Sequence, residues 1–274
     1  MLNLLSSELY KLKKSKSFKV CLIASLCMIV YIFVMFGMIM AISTGSMENG
    51  TAGIMVTTQG TEDIADELFN NILDVISQIY SMGFGTVFVA IFICIWVISE
   101  YSNGAIKNVT GKGYTRKQVF LAKYLSTNLA TCIMHISCLI VTTLGALILD
   151  RNGVNAQFFQ NLFLYAALQI LFGIALTGII IAICEISRNI AAGISISLAI
   201  VIFSNVIVQG IDLFFETLHI NFRASTYWIT NVISECPIID CTMDFIGRGI
   251  YVAMMWIALS FVLGMVHFER TDIK

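Results

Sequence analysis

Six long apolar runs without a charged residue alternate with polar segments along this chain. They cover approximately residues 20–42, 80–98, 125–149, 159–184, 190–208 and 250–266. An α-helix rises 1.5 Å per residue, so roughly 20 apolar residues cross the hydrocarbon core of a bilayer. The pattern therefore predicts an all-α, polytopic membrane protein in which one domain, residues 1–274, holds six transmembrane helices.

The first 19 residues form a seventh pattern. Leu2, Leu5 and Leu9 recur at helical spacing, and five lysines follow between residues 11 and 19. Apolar and basic faces of this kind are typical of a helix that lies in the membrane interface. Residues 1–19 are therefore predicted to be an N-terminal interfacial helix. A basic flank that only stops translocation of the first span is the alternative.

Composition supports the membrane assignment, since 58% of the residues are hydrophobic and 12% are charged. Soluble domains carry about a quarter charged residues. Two stretches are polar and acidic, residues 43–79 and residues 210–247, and both are predicted to be extracytoplasmic. The second contains apolar pieces too short to span, such as residues 213–215 and 228–229, which suggests interfacial or re-entrant helices.

The distribution of charge predicts the orientation. With both termini in the cytoplasm, 13 of the 16 Lys and Arg residues fall on the cytoplasmic side, and 12 of the 17 acidic residues fall outside. Short cytoplasmic loops carry an excess of Lys and Arg, so this orientation is the favoured one.

The most basic short loop, residues 99–118, lies between the second and third spans. It begins with Glu100-Tyr101 and continues through Gly104, Ile106 and Lys107 to the tetrapeptide Gly113-Tyr114-Thr115-Arg116. This segment resembles the one that follows the second span in ABC type-2 permeases, a family that includes bacitracin- and lantibiotic-resistance permeases. The chain departs from that pattern at Ala105, where Thr is more usual.

The resemblance implies that this loop is a coupling helix that docks on a separate ABC ATPase subunit. ATP and Mg²⁺ would then bind to the ATPase, and the partners would be that subunit, membrane lipid and a second copy of this permease or a related one. The implied function is the permease subunit of an ATP-driven exporter in the bacterial plasma membrane, moving an amphiphilic antimicrobial peptide or lipid-like compound. The candidate coupling residues are Glu100, Tyr101, Gly104, Ile106, Lys107, Asn108, Gly113 and Arg116.

Three residues in the loop have a second interpretation. Glu100 could offer its carboxylate to the ATPase, or it could stabilise the start of a helix through the helix dipole. Arg116 and Lys117 could serve coupling, or they could anchor the third span to lipid phosphates.

The sequence provides no nucleotide site, metal site or catalytic motif, so we expect no enzyme activity, no cofactor and no nucleic-acid partner for this chain. Gly111-Lys112-Gly113 resembles a fragment of a phosphate-binding loop, but Ile106 replaces the required upstream Gly and Gly113 replaces the Ser or Thr that holds magnesium. The three His residues are scattered rather than set at metal-ligand spacing.

Four polar residues in the spans are candidates for a translocation path, namely Asn128, His135, Gln169 and Asn205. Hydrogen bonds between helices are the alternative role for each of them. The spans hold no charge at mid-depth, which argues against the first rival function, an ion- or proton-coupled secondary transporter. A channel or structural membrane subunit is the second rival.

Six of the eight cysteines lie in apolar runs, where a thiol acts as a small apolar group. The other two, Cys236 and Cys241, flank Pro237 in the second extracytoplasmic region. Whether they form a disulfide stays open.

Overall fold

The computed structural model describes residues 2–48, 72–81, 83–102, 111, 113–149, 156–220, 222–239 and 241–270. Within these ranges the regular structure is entirely helical. In chain order the elements are α1 (Leu2–Lys14), α2 (Lys16–Glu48), α3 (Ile72–Ser81), α4 (Phe84–Ser102), α5 (Arg116–Leu149), α6 (Ala156–Ser187), α7 (Ile190–Thr217), a 3-10 helix (Ala224–Tyr227), α8 (Ile229–Ser234) and α9 (Met243–Arg270).

The described residues contain six segments long and apolar enough to cross a membrane. They are Lys16–Met35, Ile76–Tyr101, Arg116–Ile148, Gln157–Ser187, Ile190–Thr217 and Met243–Arg270. The predicted all-α class and the predicted number of spans are confirmed. The orientation of the termini remains a prediction.

Helix α6 is the centre of the bundle and α7 lies at its periphery. In the most apolar window of each helix, 72% of the residues of α6 are buried, against 17% for α7. The side chains of Tyr165 and Phe172 on α6 are almost fully buried. A helix that is apolar on all sides can be surrounded by other helices, and α6 contacts α4, α5, α7 and α9.

The second span is broken into two helices, whereas the sequence suggested one continuous run at 80–98. Helix α3 ends at Ser81, and α4 begins at Phe84. Gly83 has a φ of +72°, a left-handed conformation that glycine adopts without steric cost. The Thr86 hydroxyl donates to the Gly83 carbonyl at 2.5 Å and so satisfies part of the interrupted backbone.

Two helices continue beyond the apolar runs that predicted them. Helix α2 reaches Glu48 and α7 reaches Thr217, so the predicted region boundaries at residues 43 and 210 fall inside helices. The stretch 213–215, predicted to be interfacial or re-entrant, belongs to α7 for this reason. The pieces after it do form short helices, and the first is held by Asp212, which accepts a hydrogen bond from the backbone N–H of Ala224 at 2.6 Å.

Helix α1 is separate from the first span, since the chain leaves the helical conformation at Ser15. The Ser15 hydroxyl accepts a hydrogen bond from the Phe18 N–H at 3.3 Å and caps α2. The most buried face of α1 carries Leu4, Glu8 and Leu12. This face is shifted by one position from the series Leu2, Leu5 and Leu9 that predicted the helix. This face packs against α5. A position of α1 in the membrane interface remains a prediction.

Cys236 and Cys241 carry free thiols in the structure. Burial, together with the neighbouring Cys241 thiol, raises the pKa of Cys236 to about 12. Because the thiolate is the reactive form, Cys236 is a poor nucleophile near neutral pH.

Candidate functional site

Five charged side chains from four helices meet at one end of the bundle. They are Glu8 and Lys11 of α1, Glu100 of α4, Lys123 of α5 and Glu185 of α6, and we call them the charge cluster. Charged groups buried in a protein are stable only when they are paired, so each member depends on its neighbours. The charge cluster therefore links α1 to the three central helices.

Lys123 is the most enclosed cation of the charge cluster, with 2% of its side chain exposed. Its ammonium donates to the backbone carbonyl of Val97 at 2.8 Å, and it lies 3.6 Å from Oε2 of Glu100. The same nitrogen lies 4.5 Å from the centre of the Tyr101 ring, a favourable cation–π distance. Lys123 is thus held by α4 on several sides.

Glu185 is fully buried in the last turn of α6. Its Oε1 lies 3.9 Å from Nζ of Lys123, and the Tyr101 hydroxyl donates a hydrogen bond to its Oε2. Arg188, which follows α6, places its guanidinium 5.0 Å from the centre of the Tyr101 ring. Tyr101 therefore contacts two cations with its ring and donates a hydrogen bond to the buried carboxylate.

Helix α1 joins the charge cluster through Lys11. Its ammonium lies 2.5 Å from Oε1 of Glu8 and 3.4 Å from Oε1 of Glu100. Burial and the nearby carboxylate of Glu100 raise the pKa of Glu8, although Lys11 acts in the opposite direction. Burial acts to lower the pKa of Lys11, but Glu8 and Glu100 outweigh it, so that pKa lies above its usual value.

The predicted coupling loop leaves and re-enters the bundle beside these contacts. Glu100 and Tyr101 lie in the last turn of α4, and Arg116 begins α5. Nη1 of Arg116 donates to the backbone carbonyl of Glu269 at 2.8 Å. Lys117 forms an ion pair with Glu269 at 3.5 Å. Both ends of the loop are therefore attached to other helices of the chain.

Several predicted coupling residues lie outside the described residues, namely Gly104, Ile106, Lys107 and Asn108. Gly113 is described and has a φ of +86°, as expected for a glycine in a turn. Glu100 lies in the last turn of α4, which continues through Ser102. The start of the coupling helix that Glu100 was expected to stabilise lies outside the described residues, so that interpretation stays a prediction.

The four polar residues proposed for a path have different surroundings. Three are buried and bonded within the bundle. Nδ1 of His135 lies 2.5 Å from the Tyr80 hydroxyl, Gln169 donates to the carbonyl of Ile233 at 3.0 Å, and Asn128 donates to the carbonyl of Tyr124 at 2.8 Å. The contacts of His135 and Gln169 fit the alternative role, hydrogen bonding between helices, whereas Asn128 bonds to a carbonyl of its own helix.

Asn205 differs because it borders a cavity of about 320 Å³ at the opposite end of α4 from the charge cluster. Its carbonyl oxygen accepts a hydrogen bond from Thr230, and its amide donates to the Ser234 hydroxyl at 3.4 Å. The cavity is lined by Ser81, Gly83, Phe84, Thr86, Val87, Leu176, Val201, Ile202, Asn205, Thr230, Ile233 and Ser234.

Sequence reasoning missed the charge cluster. The charge pattern predicts Lys123 on the cytoplasmic side just beyond the loop at 99–118, and Glu185 in a short cytoplasmic loop at 185–189, but the structure places both inside helices. The available signal was Lys123 itself, a cation in the eighth position of a helix that has no further charge through Leu149. A buried lysine needs a carboxylate nearby, although the sequence does not say which one.

The described residues form an all-helical bundle with six apolar spans, which defines a polytopic membrane protein. The bundle has a charge cluster at one end of α4 and a cavity lined by uncharged residues at the other end. The model of the ABC-2 family transporter proteins matches residues 4–204, which is more than half of the chain. The chain belongs to the ABC-2 transporter family, and it is a membrane component of a transport system rather than a catalytic one. The bacterial plasma membrane is the usual location of this family.

The match extends from α1 into α7, so it includes all members of the charge cluster. The 3-10 helix, α8 and α9 follow after the matched residues. No curated protein matched the chain.

Proposed function

We propose that this chain is the permease subunit of an ATP-driven exporter, in which a separate ABC ATPase binds ATP and Mg²⁺ and docks on the loop at residues 99–118. Membership of the ABC-2 family supports the transport role. Two permease chains, this one paired with itself or with a related permease, would each engage an ATPase. The charged end of the bundle would face the cytoplasm, as the distribution of Lys and Arg predicts.

The observation that carries the proposal is the attachment of both ends of the loop to other helices. At the first end, Glu100 is paired with Lys11 and Lys123. At the second end, Arg116 and Lys117 contact Glu269 near the end of α9. Packed helices move as rigid units rather than deforming continuously, so a displacement of the loop would reach α1, α5, α6 and α9 together.

The same contacts change the role proposed for Glu100. Its two carboxylate oxygens face Lys11 and Lys123, respectively, so its charge is already balanced inside the chain. We therefore assign Glu100 and Tyr101 to transmission within the permease. Contact with the ATPase then falls to the other predicted coupling residues, namely Gly104, Ile106, Lys107, Asn108, Gly113 and Arg116.

A large hollow beside the predicted extracytoplasmic region supports an amphiphilic substrate. It encloses about 900 Å³ and is bordered by the carboxylates of Asp212 and Glu216 and by the rings of Phe222 and Tyr227. These two rings are stacked, with their centres 5.9 Å apart. Arg223 also borders the hollow, but the two carboxylates outnumber it, so the acidic and aromatic groups together suit a cationic amphiphile such as an antimicrobial peptide.

A proton-coupled secondary transporter is the second candidate, because the structure buries Lys123 and Glu185 in helices where the sequence suggested no charge. Transporters of that kind carry ionisable groups on the substrate path. Glu185 is nine residues from Leu176, the residue of α6 at the cavity, which is about 13 Å along a helix. The separation favours the exporter.

The test is the ATP turnover of the ATPase that co-purifies with the reconstituted permease. Gly104→Leu places a bulky side chain in the loop, and we expect co-purification or stimulated turnover to be lost while membrane insertion and yield stay normal. Gly247→Leu is the matched control, because a side chain at Gly247 meets no atom within 4 Å.

Normal turnover in Gly104→Leu would contradict the proposal. A permease that purifies without any ATPase, and whose transport stops when the proton gradient is removed, would establish the second candidate. Glu100→Lys is not a clean probe of docking, since the new lysine would stand beside Lys11 and Lys123 and destabilise the chain itself.

A further inference from the structure

Two buried cysteines on different helices are in direct contact. The thiol of Cys184 on α6 donates to the sulfur of Cys94 on α4, and the two sulfurs lie 3.5 Å apart. Both side chains are fully buried. The sequence suggested thiols that act as small apolar groups, but two sulfurs in contact also allow a redox reaction that a single cysteine does not.

The thiol of Cys94 has a second partner on α7. It donates to the Ser197 hydroxyl at 3.4 Å, so a chain of hydrogen bonds runs from α6 through α4 to α7. Because the Cys94 sulfur accepts a hydrogen bond from Cys184, negative charge on that sulfur is stabilised. The thiolate is the form that attacks an oxidant, so Cys94 is the reacting thiol and Cys184 is the thiol for the second step.

Small residues of the peripheral helix α7 cover the two thiols. Besides Ser197, Gly193 faces them, since a Cβ atom at Gly193 would lie 3.9 Å from the Cys184 sulfur. The same atom would meet Cδ1 of Ile98 at 2.6 Å, so glycine allows this close approach of α7 to α4. Helix α7 is mostly exposed on the outside of the bundle, where a membrane-spanning helix meets the hydrocarbon core. An oxidant that enters from this side has to be uncharged and apolar.

We propose that Cys94 and Cys184 are an oxidation site for organic hydroperoxides dissolved in the membrane, and that the disulfide formed there locks α4 to α6. The Cys94 sulfur attacks the terminal peroxide oxygen, and the O–O bond breaks. The alkoxide takes the Cys94 proton and leaves as an alcohol, and Cys94 becomes a sulfenic acid. The Cys184 sulfur then attacks the Cys94 sulfur, the S–O bond breaks, and hydroxide leaves with the Cys184 proton as water. The two thiols are oxidised, and the hydroperoxide is reduced.

Formation of the disulfide needs a small movement of the two sulfurs. They lie 3.5 Å apart, and a disulfide bond measures about 2.05 Å, so they approach each other by about 1.5 Å. Oxidised Cys94 has no proton to donate, so its hydrogen bond to Ser197 is lost. The oxidised bundle is therefore joined covalently between α4 and α6 and loses one contact between α4 and α7.

The disulfide lies close to the charge cluster. Cys184 directly precedes Glu185, whose carboxylate lies 3.9 Å from the ammonium of Lys123. Cys94 precedes Glu100 by six residues, which is about 9 Å along a helix. A covalent bond there fixes α6 against the helix that leads into the predicted coupling loop, so relative motion of the two helices stops. The lock rests on the proposed function for its effect on transport and not for its chemistry.

The experiment treats the full-length permease in nanodiscs of saturated phosphatidylcholine with cumene hydroperoxide. The protein is then unfolded in N-ethylmaleimide, which blocks the remaining thiols, and disulfide-linked peptides are identified by mass spectrometry. We expect a linked pair of peptides that carry Cys94 and Cys184, and its loss in Cys94→Ser and in Cys184→Ser. Cys138→Ser is the matched control and should keep the linkage at the wild-type rate, because the buried Cys138 thiol donates to Ser25 at 3.6 Å rather than to a cysteine.

A second measurement tests the lock. In the complex with the co-purified ATPase, stimulated turnover should fall in proportion to the linked fraction and recover after reduction with dithiothreitol. The same treatment should have no effect on the turnover of Cys94→Ser, and Cys94→Ala replaces this variant if it fails to fold. Should no ATPase co-purify, thermal unfolding tests the lock, because the disulfide should move unfolding of the permease to a higher temperature.

Absence of the linked pair in the wild-type protein would overturn the site, and so would oxidation of Cys94 to a sulfinic acid while Cys184 stays free. A water-soluble disulfide reagent that carries carboxylates should leave both thiols free until the protein unfolds. Reaction with it at the rate of the hydroperoxide would overturn the route through the lipid.

Unchanged turnover of the linked complex, or an unchanged unfolding temperature where no ATPase co-purifies, would overturn the lock. The linkage itself is measured without an ATPase. Its absence therefore leaves the exporter assignment intact, and failure of ATPase coupling leaves the linkage result intact.

Discussion

The two ends of helix α4 use opposite chemistry to hold the bundle together. At one end, Glu100 pairs with Lys123 and Lys11 in a buried cluster of full charges. At the other end, helices meet through neutral contacts such as that of Asn205 with Thr230. Each buried charge costs several kcal/mol to desolvate, whereas a neutral interhelical hydrogen bond contributes only about 0.6 kcal/mol.

The difference indicates which end can change partners easily. Removal of one charge leaves another charge buried and unpaired, so the charged end forms or separates as a unit. A neutral wall can exchange its weak bonds with a ligand at little cost. The charged end therefore fits the transmission of force, and the neutral end fits the exchange of bound molecules.

The largest expected effect belongs to Lys123→Met. Methionine is close to lysine in size, so the packing is kept while Glu100 and Glu185 lose a buried cation. We expect a loss of about 3–5 kcal/mol in the free energy of unfolding, measured in detergent by heat or denaturant. A loss below 1 kcal/mol would show that the cluster is solvated and would remove the contrast between the two ends.

The second effect is the recovery of stability in the double variant Lys123→Met with Glu185→Leu. This pair removes the unbalanced carboxylate together with the cation, so the double variant should be more stable than the sum of the two single changes predicts. Coupling energies between contacting residues reach about 0.5–3 kcal/mol. Strict additivity would mean that the 3.9 Å contact between the two side chains has no energetic effect.

A smaller effect is expected for Thr230→Val at the neutral end. The change keeps the shape of the side chain but removes its bonds to Ser204 and Asn205. We expect a loss of about 0.6–1.7 kcal/mol in the same unfolding measurement. Thr143→Val is the control, since the Thr143 hydroxyl bonds only to the Leu139 carbonyl of its own helix in the contacts described. Equal losses of stability in both variants would show that the interhelical hydrogen bonds add no stability beyond that of a bond within one helix.

The smallest effect concerns Glu8 and depends on pH. Its raised pKa means that protonation favours the folded state, so its stabilising contribution is present at acidic pH and is lost as the pH rises through that pKa. Glu8→Gln imitates the protonated form and should change stability at pH 7 by no more than about 1 kcal/mol, because the loss of the bond to Lys11 offsets the gain.

The diagnostic for Glu8→Gln is its pH dependence. Thermal unfolding should show any advantage of the variant at pH 7 shrinking as the pH falls through the raised pKa of Glu8 toward the ordinary carboxyl value of 4.5, below which Glu8 adds no further pH dependence. An advantage that grows toward acidic pH would have the wrong sign and would contradict the assigned direction.

The length of the apolar runs was enough to predict the spans, because every helix that crosses a bilayer needs nearly the same number of apolar residues. It did not predict the break at Gly83, since one glycine in an apolar run is also compatible with a continuous helix. Nor did it predict that α6 lies at the centre of the bundle. Helices α6 and α7 have similar hydropathy, and only the packing of the other helices around them shows which one is buried.

The candidate site could be predicted only where the chemistry is local in sequence. The basic loop with Glu100 and Arg116 is contiguous, and its composition identified it. The charge cluster joins Glu8, Lys123 and Glu185, which are far apart in the chain, and no periodic pattern relates them. Pairing of that kind depends on how the helices pack, which one sequence does not show.

The contact between Arg116 and Glu269 has a practical consequence for tagging. It brings the last turn of α9 beside the start of α5, so a protein fused directly after Arg270 would emerge next to the loop that we propose as the ATPase docking site. A fluorescent protein attached there would obstruct the proposed partner. A short epitope in the stretch around Thr242, near the neutral end, keeps purification handles away from the docking face.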